Sequence, residues 1–345
     1  MEMSATSQPT RRARLILTYN GKDISTDIAP YVLSFSYTDN AHGKADDLQV
    51  KLEDREHLWK GDWFPEKGAK LVASLLCEAW DTPEDKPVIM ACGTFTLDEI
   101  ELSGPPDTVS IKAVSAAMTT SIRQQKKTKA WENASLKQVA QDIADSNGLQ
   151  LKYDGKDFPF SRMDQRETSD LGFLQRMAEE RGMNLKIADD TIVLMNAQGY
   201  DAKDTVRTIT RGTQAIKSFR FKHKTQGVYG KGTKLAFHDP ATKQTRSYGY
   251  DPKGAGADTN NINRRLDIYE DGNSIAAAET RGKNKHESEA SLSLMGDPNL
   301  RATMTIELSG FKRFDATYAI ETATHAFDRS SGYTTELKLR KVLGY

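Results

Sequence analysis

Residues 93–113 read GTFTLDEIELSGPPDTVSIKA, and this stretch decides the class of fold. Apolar and polar side chains alternate along residues 93–102, which is the period of a strand that buries one face. The Gly-Pro-Pro at 104–106 interrupts the alternation as a turn, and the alternation returns over 109–113. The stretch therefore predicts an antiparallel β-hairpin.

Shorter strands precede this hairpin. Apolar or alternating runs, separated by turn residues, occur at 15–17, 32–37, 48–52 and 71–76. Six short strands with turn signals between them indicate a small barrel or sandwich. We predict that this β domain covers residues 12–118, after a flexible N-terminus at 1–11 that is rich in Ser, Thr and Pro.

The hydrophobic period changes near residue 131. One helical stripe, at spacings i, i+3, i+4 and i+7, is formed by Leu136, Val139, Ala140 and Ile143. Ser135 and Gln138 have the spacing of a capping box, and Gly148 is placed to end the helix. A second helix is predicted from about Asp170 to Arg181.

A hairpin is predicted over residues 185–195, after the second helix. Together these elements predict a small α+β unit at 119–205. Strands then return, and residues 206–345 are predicted to form a second β-barrel. Within it we expect a mobile Gly/Asn/Asp-rich loop at 251–263 and a helix near 274–291. The predicted fold class is therefore mainly β, with an α+β insert between two β-barrels.

Composition limits the classes of function. Lysine and arginine number 48, aspartate and glutamate also number 48, and the formal net charge is zero. A protein that binds nucleic acid along its length carries a basic excess to neutralise phosphates, so we predict no stable nucleic-acid binding. Cys77 and Cys92 do not form a disulfide framework, and they are expected to be reduced. The sequence has no signal-peptide pattern and no apolar run long enough to span a membrane, which predicts folding in a reducing cytoplasm.

No motif in the sequence predicts catalysis. A GxSxG elbow is absent, and the Gly-rich segment at 227–234 lacks the spacing of a phosphate-binding loop. The six histidines are scattered without metal-ligand spacing, so no metal and no cofactor are predicted. Glu179 and Glu180 point about 100° apart on a helix, and we interpret them as a solvated face rather than an acid–base pair. The basic run at 123–129 is interpreted as a solvated linker.

Three stretches, 34–54, 167–182 and 308–337, resemble the late control gene D proteins of contractile-tailed phages. The second also resembles a helix that those proteins share with VgrG, the spike protein of type VI secretion. The residues that carry the resemblance are Asp39, Asn40, Asp46 and Leu48 in the first stretch, Asp170, Phe173, Leu174 and Gly182 in the second, and Gly310, Phe311, His325, Gly332 and Tyr333 in the third. Turn-forming, apolar and glycine residues dominate this set, which favours a structural role over a reactive one.

The resemblance implies a baseplate hub. In that family the chain forms a homotrimer, and each subunit supplies two barrels similar to the tail tube protein. The trimer adapts the sixfold tail tube above to the threefold spike below. The implied partners are the tube protein, a spike that is a separate chain, and baseplate wedge proteins. If the particle is a true phage, DNA passes through the lumen.

The implied location is the tail baseplate of a virion or injection particle that is assembled in the bacterial cytoplasm. Phage, phage-tail-like bacteriocin and other injection systems remain open alternatives. Two rival functions also remain: a peptidoglycan hydrolase of the tail, and a carbohydrate-binding β protein. The first of these would need a catalytic Glu. The second is weakened by the absence of a signal peptide and by only four tryptophans.

Overall fold

The computed structural model describes residues 10–115, 120–212, 216–239, 242–252, 258–267 and 270–345. The strands are β1 (Arg12–Tyr19), β2 (Lys22–Asp23), β3 (Val32–Asn40), β4 (Asp47–Glu53), β5 (Lys70–Glu78), β6 (Val88–Ser103), β7 (Thr108–Ser115), β8 (Lys126–Ser135), β9 (Gln150–Asp154), β10 (Pro159–Ser169), β11 (Met183–Ala188), β12 (Thr191–Asn196), β13 (Arg207–Thr210), β14 (Ile216–His223), β15 (Thr233–Asp239), β16 (Gln244–Tyr250), β17 (Asn260–Asn263), β18 (Ser288–Met295), β19 (Thr305–Ser309), β20 (Ala316–Asp328) and β21 (Gly332–Lys341). The helices are α1 (Ser25–Ile28), α2 (Thr120–Gln124), α3 (Leu136–Ser146), α4 (Asp170–Glu179), α5 (Ala197–Asp201) and α6 (Gly272–Asn284). The prediction of a mainly β fold is confirmed.

Strands from both ends of the chain share one 13-stranded sheet. Its main path runs β14-β18-β21-β20-β3-β4-β7-β6-β5-β1-β2, and β19 pairs with β20 and β13. The two halves meet where β20 pairs antiparallel with β3, with Tyr37 opposite His325 and Asp39 opposite Ala323. The N-terminal and C-terminal β regions are therefore hydrogen-bonded to each other.

Each half of the sheet has its own core. In the first half, the alternation predicted for residues 48–52 buries Leu48, Val50 and Leu52 on one face, among other inward residues of β1, β3, β5, β6 and β7. In the second half, a separate cluster includes Ile306, Tyr318 and Leu339. The domain boundaries that the sequence suggested stay predictions.

The α+β unit lies between the two halves in sequence and has a third core. Helix α3 begins with the predicted capping box, in which the Ser135 hydroxyl accepts from Gln138 and the Gln138 side chain accepts from the Ser135 amide. Its predicted stripe is buried together with Phe173 and Leu174 of α4. The predicted hairpin is present as β11 and β12, and β9 pairs parallel to β12.

The basic run at 123–129 is not a linker, contrary to our interpretation. Most of it belongs to β8, which pairs with β10 over the length of both strands. Lys127 forms an ion pair with Asp170, and Lys129 forms one with Asp142. Lys127 and Lys129 therefore form their ion pairs within the α+β unit.

The predicted helix near 274–291 extends too far. Helix α6 begins at Gly272 and ends at Asn284, and the following Ser288–Met295 is strand β18. Serine, glutamate and alanine obscured the alternation, which buries Ser288, Ala290, Leu292 and Leu294 between β14 and β21.

Helix α6 packs within the chain through its small residues. Ile275 shares a core with Leu235 and Leu266, and Ala276 and Ala278 are buried. Gly182 follows the end of α4 and lies close to α6. A Cβ built on Gly182 would be 3.3 Å from the Cβ of Ala278. The small face of α6 therefore joins the β15–β16–β17 sheet to the α+β unit.

The prediction of a mobile loop at 251–263 is wrong for the C-terminal end of that range. Asn260–Asn263 forms β17, parallel to β15, and the Asn260 amide donates to the Gly232 carbonyl at 2.9 Å. Residues 253–257 of that loop, and residues 1–9 of the predicted flexible N-terminus, lie outside the described residues.

Candidate functional site

The turn between β3 and β4 is closed by its own side chains. The Asn40 amide donates to Asp46 Oδ1 at 2.8 Å, and Asn40 Nδ2 donates to the Ala45 carbonyl at 2.8 Å. Gly43 has a φ of +71°, and its amide donates to the Leu185 carbonyl of β11 at 3.0 Å. The turn is thereby attached to the α+β unit.

A buried lysine extends this attachment. Lys186 of β11 contacts Asp39 Oδ1, and its Nζ lies 3.5 Å from Asp46 Oδ2. Burial raises the pKa of Asp46 to about 6, and the nearby Asp39 charge adds to this increase. The Lys186 ammonium acts in the opposite direction and lowers the pKa. We call Asp39, Asn40, Asp46 and Lys186 the polar junction.

The polar junction also reaches the second half of the sheet. Asp39 Oδ2 accepts from the Ala302 amide at 3.1 Å, in the segment that precedes β19, and Thr322 Oγ1 donates to Asn40 Oδ1 at 3.3 Å. All four carboxylate oxygens of Asp39 and Asp46 thus have a partner. These contacts connect the β3–β4 turn to β11 and to the segment before β19, so the polar junction joins three parts of the fold.

A cavity of about 420 Å³ adjoins the polar junction. Its walls come from the same three parts of the chain and include Tyr37, Cys92, Asp189, Tyr200 and Arg301. Burial raises the pKa of the Cys92 thiol to about 12, so the thiol is not activated as a nucleophile. In the described part of the chain, no group of three or more His, Cys, Asp or Glu side chains is placed to hold a metal ion.

His325 is fully buried next to the polar junction. Its Nε2 lies 2.9 Å from the Leu300 carbonyl, which can only accept, so Nε2 carries the proton. Nδ1 then accepts from the Tyr333 hydroxyl at 2.7 Å. Burial lowers the pKa of His325 to about 4, and the ring is neutral at pH 7. Both ring nitrogens are used in structural bonds.

Tyr333 is held by a close glycine contact. Its ring lies 5.1 Å from the Trp80 ring, and Trp80 Nε1 donates to the Gly296 carbonyl at 2.7 Å. A Cβ on Gly296 would lie 2.1 Å from the Tyr333 ring. Gly332, directly before Tyr333, has a φ of +74° in the turn between β20 and β21. Both glycines therefore position the tyrosine.

The helix motif forms a second polar cluster. Asp170 accepts from Lys127 at 2.5 Å, and from Gln165 and Asn147 at 3.0 Å each. Burial opposes ionisation of Asp170, but these donors outweigh it and lower its pKa. Phe173 stacks on Trp131 with ring centroids 5.4 Å apart. The motif fixes α4 against β8.

The remaining motif residues lie at the far side of the second half. Gly310 has a φ of +82° beside Arg211, and Phe311 packs against Phe219 and Phe221 at 5.3 and 5.1 Å. These residues do not contact the polar junction. The motif therefore maps to three separate structural clusters rather than to one pocket.

Glu179 and Glu180 do not form an acid–base pair. Glu179 accepts from Gln175 at 3.1 Å. Glu180 lies 3.3 Å from Arg264 and 3.6 Å from Arg181, so its carboxylate forms ion pairs with both guanidinium groups.

The comparisons with known proteins agree with the motif. No protein-family model matches the sequence. The probable baseplate hub protein of Escherichia phage 186 is 28% identical over 184 residues, which cover 53% of this chain and 44% of that protein. The probable baseplate hub protein of Escherichia phage P2 is 29% identical over 203 residues, which cover 57% and 49%. The chain is related in sequence to phage baseplate hub proteins. It spans about half the length of these curated relatives.

Solved structures show the same fold at low identity. A tail protein from Neisseria meningitidis has a TM-score of 0.67 at 11% identity, with 95% of this chain and 96% of that chain covered. A 43 kDa tail protein of prophage MuSo2 from Shewanella oneidensis has a TM-score of 0.64 at 12% identity, covering 97% and 100%. An E. coli component of the type VI secretion system has a TM-score of 0.56 at 12% identity, covering 90% and 73%. The predicted resemblance to the hub family is confirmed.

Two basic residues with nearly buried acidic partners were not identified from the sequence. Lys186 stands in an ordinary alternating strand, and its partner Asp39 is 147 positions away. Arg340 was missed in the same way, although it donates to both oxygens of Asp201 at 2.8 and 2.6 Å. Both residues alternate with the inward apolar residues of their strands and so look like solvated positions, which means that no local signal marked them.

Proposed function

We propose that this chain is a structural hub subunit of a contractile-tail baseplate, in a virion or another injection particle. The sequence relationship to phage hub proteins and the fold shared with tail proteins support the proposal. In the proposed assembly, three copies form a closed ring that adapts the sixfold tail tube to a threefold spike. The tube protein, a separate spike chain and baseplate wedge proteins are the proposed partners, and assembly takes place in the bacterial cytoplasm.

One observation carries the ring: the large sheet ends in an incompletely paired strand at each side. Strand β1 pairs with β5 on one side, but on the other only Thr18 and Tyr19 pair with β2. In the described part of the chain, β14 pairs with β18 alone. Unpaired edges are templates for pairing with another chain. Two different edges on one subunit suit a head-to-tail contact, which closes into a ring of three when each copy is rotated by a third of a turn from the last.

Side chains near both edges favour a contact. Val72 of β5, the strand paired with β1, is 44% exposed, and Ile89 of β6, one strand farther from the edge, is 63% exposed. Phe219 of β14 is 45% exposed. Both edges are also basic, but Arg14 pairs with Glu78 at 2.6 Å and Lys222 with Glu289 at 3.3 Å. The neighbouring carboxylates thus reduce repulsion between the two edges.

Cross-linking in assembled particles tests this contact. A chain with Arg12→Cys in β1 and Arg220→Cys in β14 should be joined into covalent trimers by a short bismaleimide reagent. The native Cys77 and Cys92 are buried, so we expect little reaction of these thiols with the reagent. A matched variant with Glu101→Cys in place of Arg220→Cys should give no trimer. Uncross-linked chains, or a ladder that continues past three copies, would contradict the ring.

The hydrolase alternative has no observation in its favour. A turbidity assay on peptidoglycan distinguishes the two functions, and we expect no activity from the purified chain. Activity that disappears in Glu180→Gln, with Glu101→Gln as the control, would replace the structural proposal by the enzymatic one.

A further inference from the structure

The first half of the sheet contains an apolar cavity that its own side chains do not fill. It has a volume of about 340 Å³ and lies between the inner face of the sheet, helix α1 and the β4–β5 segment. Leu17, Leu52 and Leu71 line it from the strands, and Ile28 and Trp59 line it from the other side. Protein cores are normally packed without voids of this size, whereas ligand sites begin at roughly 300 Å³.

An unused hydrogen-bond donor belongs to the wall of this cavity. Trp59 is 5% exposed, and its indole N–H has no partner among the described residues. Buried indole N–H groups usually donate to an acceptor. A ligand with a carbonyl group would supply one.

The rim of the cavity is acidic. Asp27, Asp62 and Glu66 line its opening, and Lys22 is the single cation beside them. None of these three carboxylates forms an ion pair with a described residue. Trp63 and Phe64 lie at the same opening, and Phe64 is 55% exposed. Aromatic faces next to carboxylates attract a cationic group.

We propose that this cavity binds a segment of a partner protein that presents a bulky apolar side chain next to lysine or arginine. The apolar side chain enters the cavity, a main-chain carbonyl accepts from Trp59, and the cation lies between the rim carboxylates and the aromatic rings. The apolar walls favour this occupant over a sugar, whose hydroxyl groups would be left without partners. The inference does not depend on the hub assignment.

Tryptophan fluorescence of the purified chain can follow binding. The probe is the peptide acetyl-Lys-Leu-Phe-Lys-amide, compared with the same peptide carrying Glu at both ends and with one carrying Ser at both central positions. We expect the first peptide to change the fluorescence saturably, with at least tenfold weaker binding of the other two. Raising the salt concentration should weaken the first, because surface charges are screened.

Substitutions at exposed rim residues separate binding from folding. Asp62→Lys with Glu66→Lys should weaken the peptide at least tenfold, and Phe64→Ala at least fivefold. Glu101→Lys, at an exposed carboxylate that does not line the cavity, is the matched control and should leave affinity unchanged. Circular dichroism melts verify that each variant is folded.

Several results would overturn the proposal. Absence of saturable binding by the basic peptide at millimolar concentration is one. Equal binding of the acidic peptide, or an equal loss in Glu101→Lys, is another. Saturable binding of cellobiose that the basic peptide does not displace would make the cavity a sugar site instead.

Discussion

Gly296 is one of the glycines at which the packing leaves no room for a side chain. Its position is fixed by the Trp80 donor on its carbonyl and by the Tyr333 ring against its Cα. We expect Gly296→Ala to lower the free energy of unfolding by about 1–3 kcal/mol, as overpacking does. Gly282→Ala, in α6 with open space around it, should instead raise it by about 0.5–1 kcal/mol. Chemical denaturation of both variants checks this, and equal effects would contradict the packing account.

His325 makes stability depend on pH. Its folded pKa, about 4, lies below the ordinary value of 6.5, so its contribution is complete above pH 6.5 and is lost as the pH falls towards 4. Linkage gives a loss of about 2 kcal/mol between pH 7 and pH 5 from this group. A glutamine can donate to Leu300 and accept from Tyr333 without titrating.

We therefore expect His325→Gln to be less sensitive to pH than the parent chain between pH 7 and pH 5. Urea unfolding at the two pH values measures the difference. His238→Gln is the control, because His238 is exposed on β15. An unchanged pH dependence in His325→Gln would show that the buried imidazole is not its source.

Lys186 joins elements rather than stabilising one of them. Lys186→Met would leave Asp39 and Asp46 buried without their cation, which costs about 3–5 kcal/mol of unfolding free energy. Lys129→Met breaks an exposed pair with Asp142 and should cost less than about 1 kcal/mol. Adding Asp46→Asn to Lys186→Met should recover part of the loss. A small effect of Lys186→Met in thermal or urea unfolding would refute a structural polar junction.

The start of α3 depends on one cap. Ser135→Ala removes the acceptor for the Gln138 amide and should lower the free energy of unfolding by about 1 kcal/mol. Ser146→Ala, at the other end of the helix, removes a hydroxyl donor to the Ile143 carbonyl, which keeps the Asn147 side-chain donor, and should change the free energy of unfolding by less than about 0.5 kcal/mol. Urea unfolding compares the two, and equal losses would argue against the capping box.

Elements with a regular pattern were predictable, and elements defined by distant partners were not. The stripe of α3, the α4 helix and the β11–β12 hairpin follow from local periodicity and caps. Strand β17 is Asn-rich and reads as a loop, because its stability comes from β15 and α6 rather than from its own residues. The predicted helix near 274–291 was too long for the same reason, because β18 is a strand through its pairing with β14 and β21.

The candidate site shows a similar limit. Asp39, Asn40 and Asp46 were identified from the motif, and local turn chemistry explains two of their bonds. Lys186 and Ala302, which turn that local motif into a junction of three parts, are separated from Asp39 by 147 and 263 positions. Pairing over such distances is not encoded in any local pattern.

At the scale of the whole molecule, the continuous sheet is the central feature. One chain carries two cores on a sheet in which β1 and β14 are incompletely paired, and pairing of β1 with β14 of neighbouring copies would cover these two edges. The fold is shared with phage tail proteins. The proposed trimer is consistent with both observations.

Electron microscopy of the assembled tail end tests the central claim most directly. The reconstruction should be made from particles that contain this chain, and the chain should be located by fitting its fold into the density. The account predicts three copies in a ring coaxial with the tail tube, with β1 of each copy beside β14 of the next. One copy, six copies, or a position on the outer sheath would contradict it.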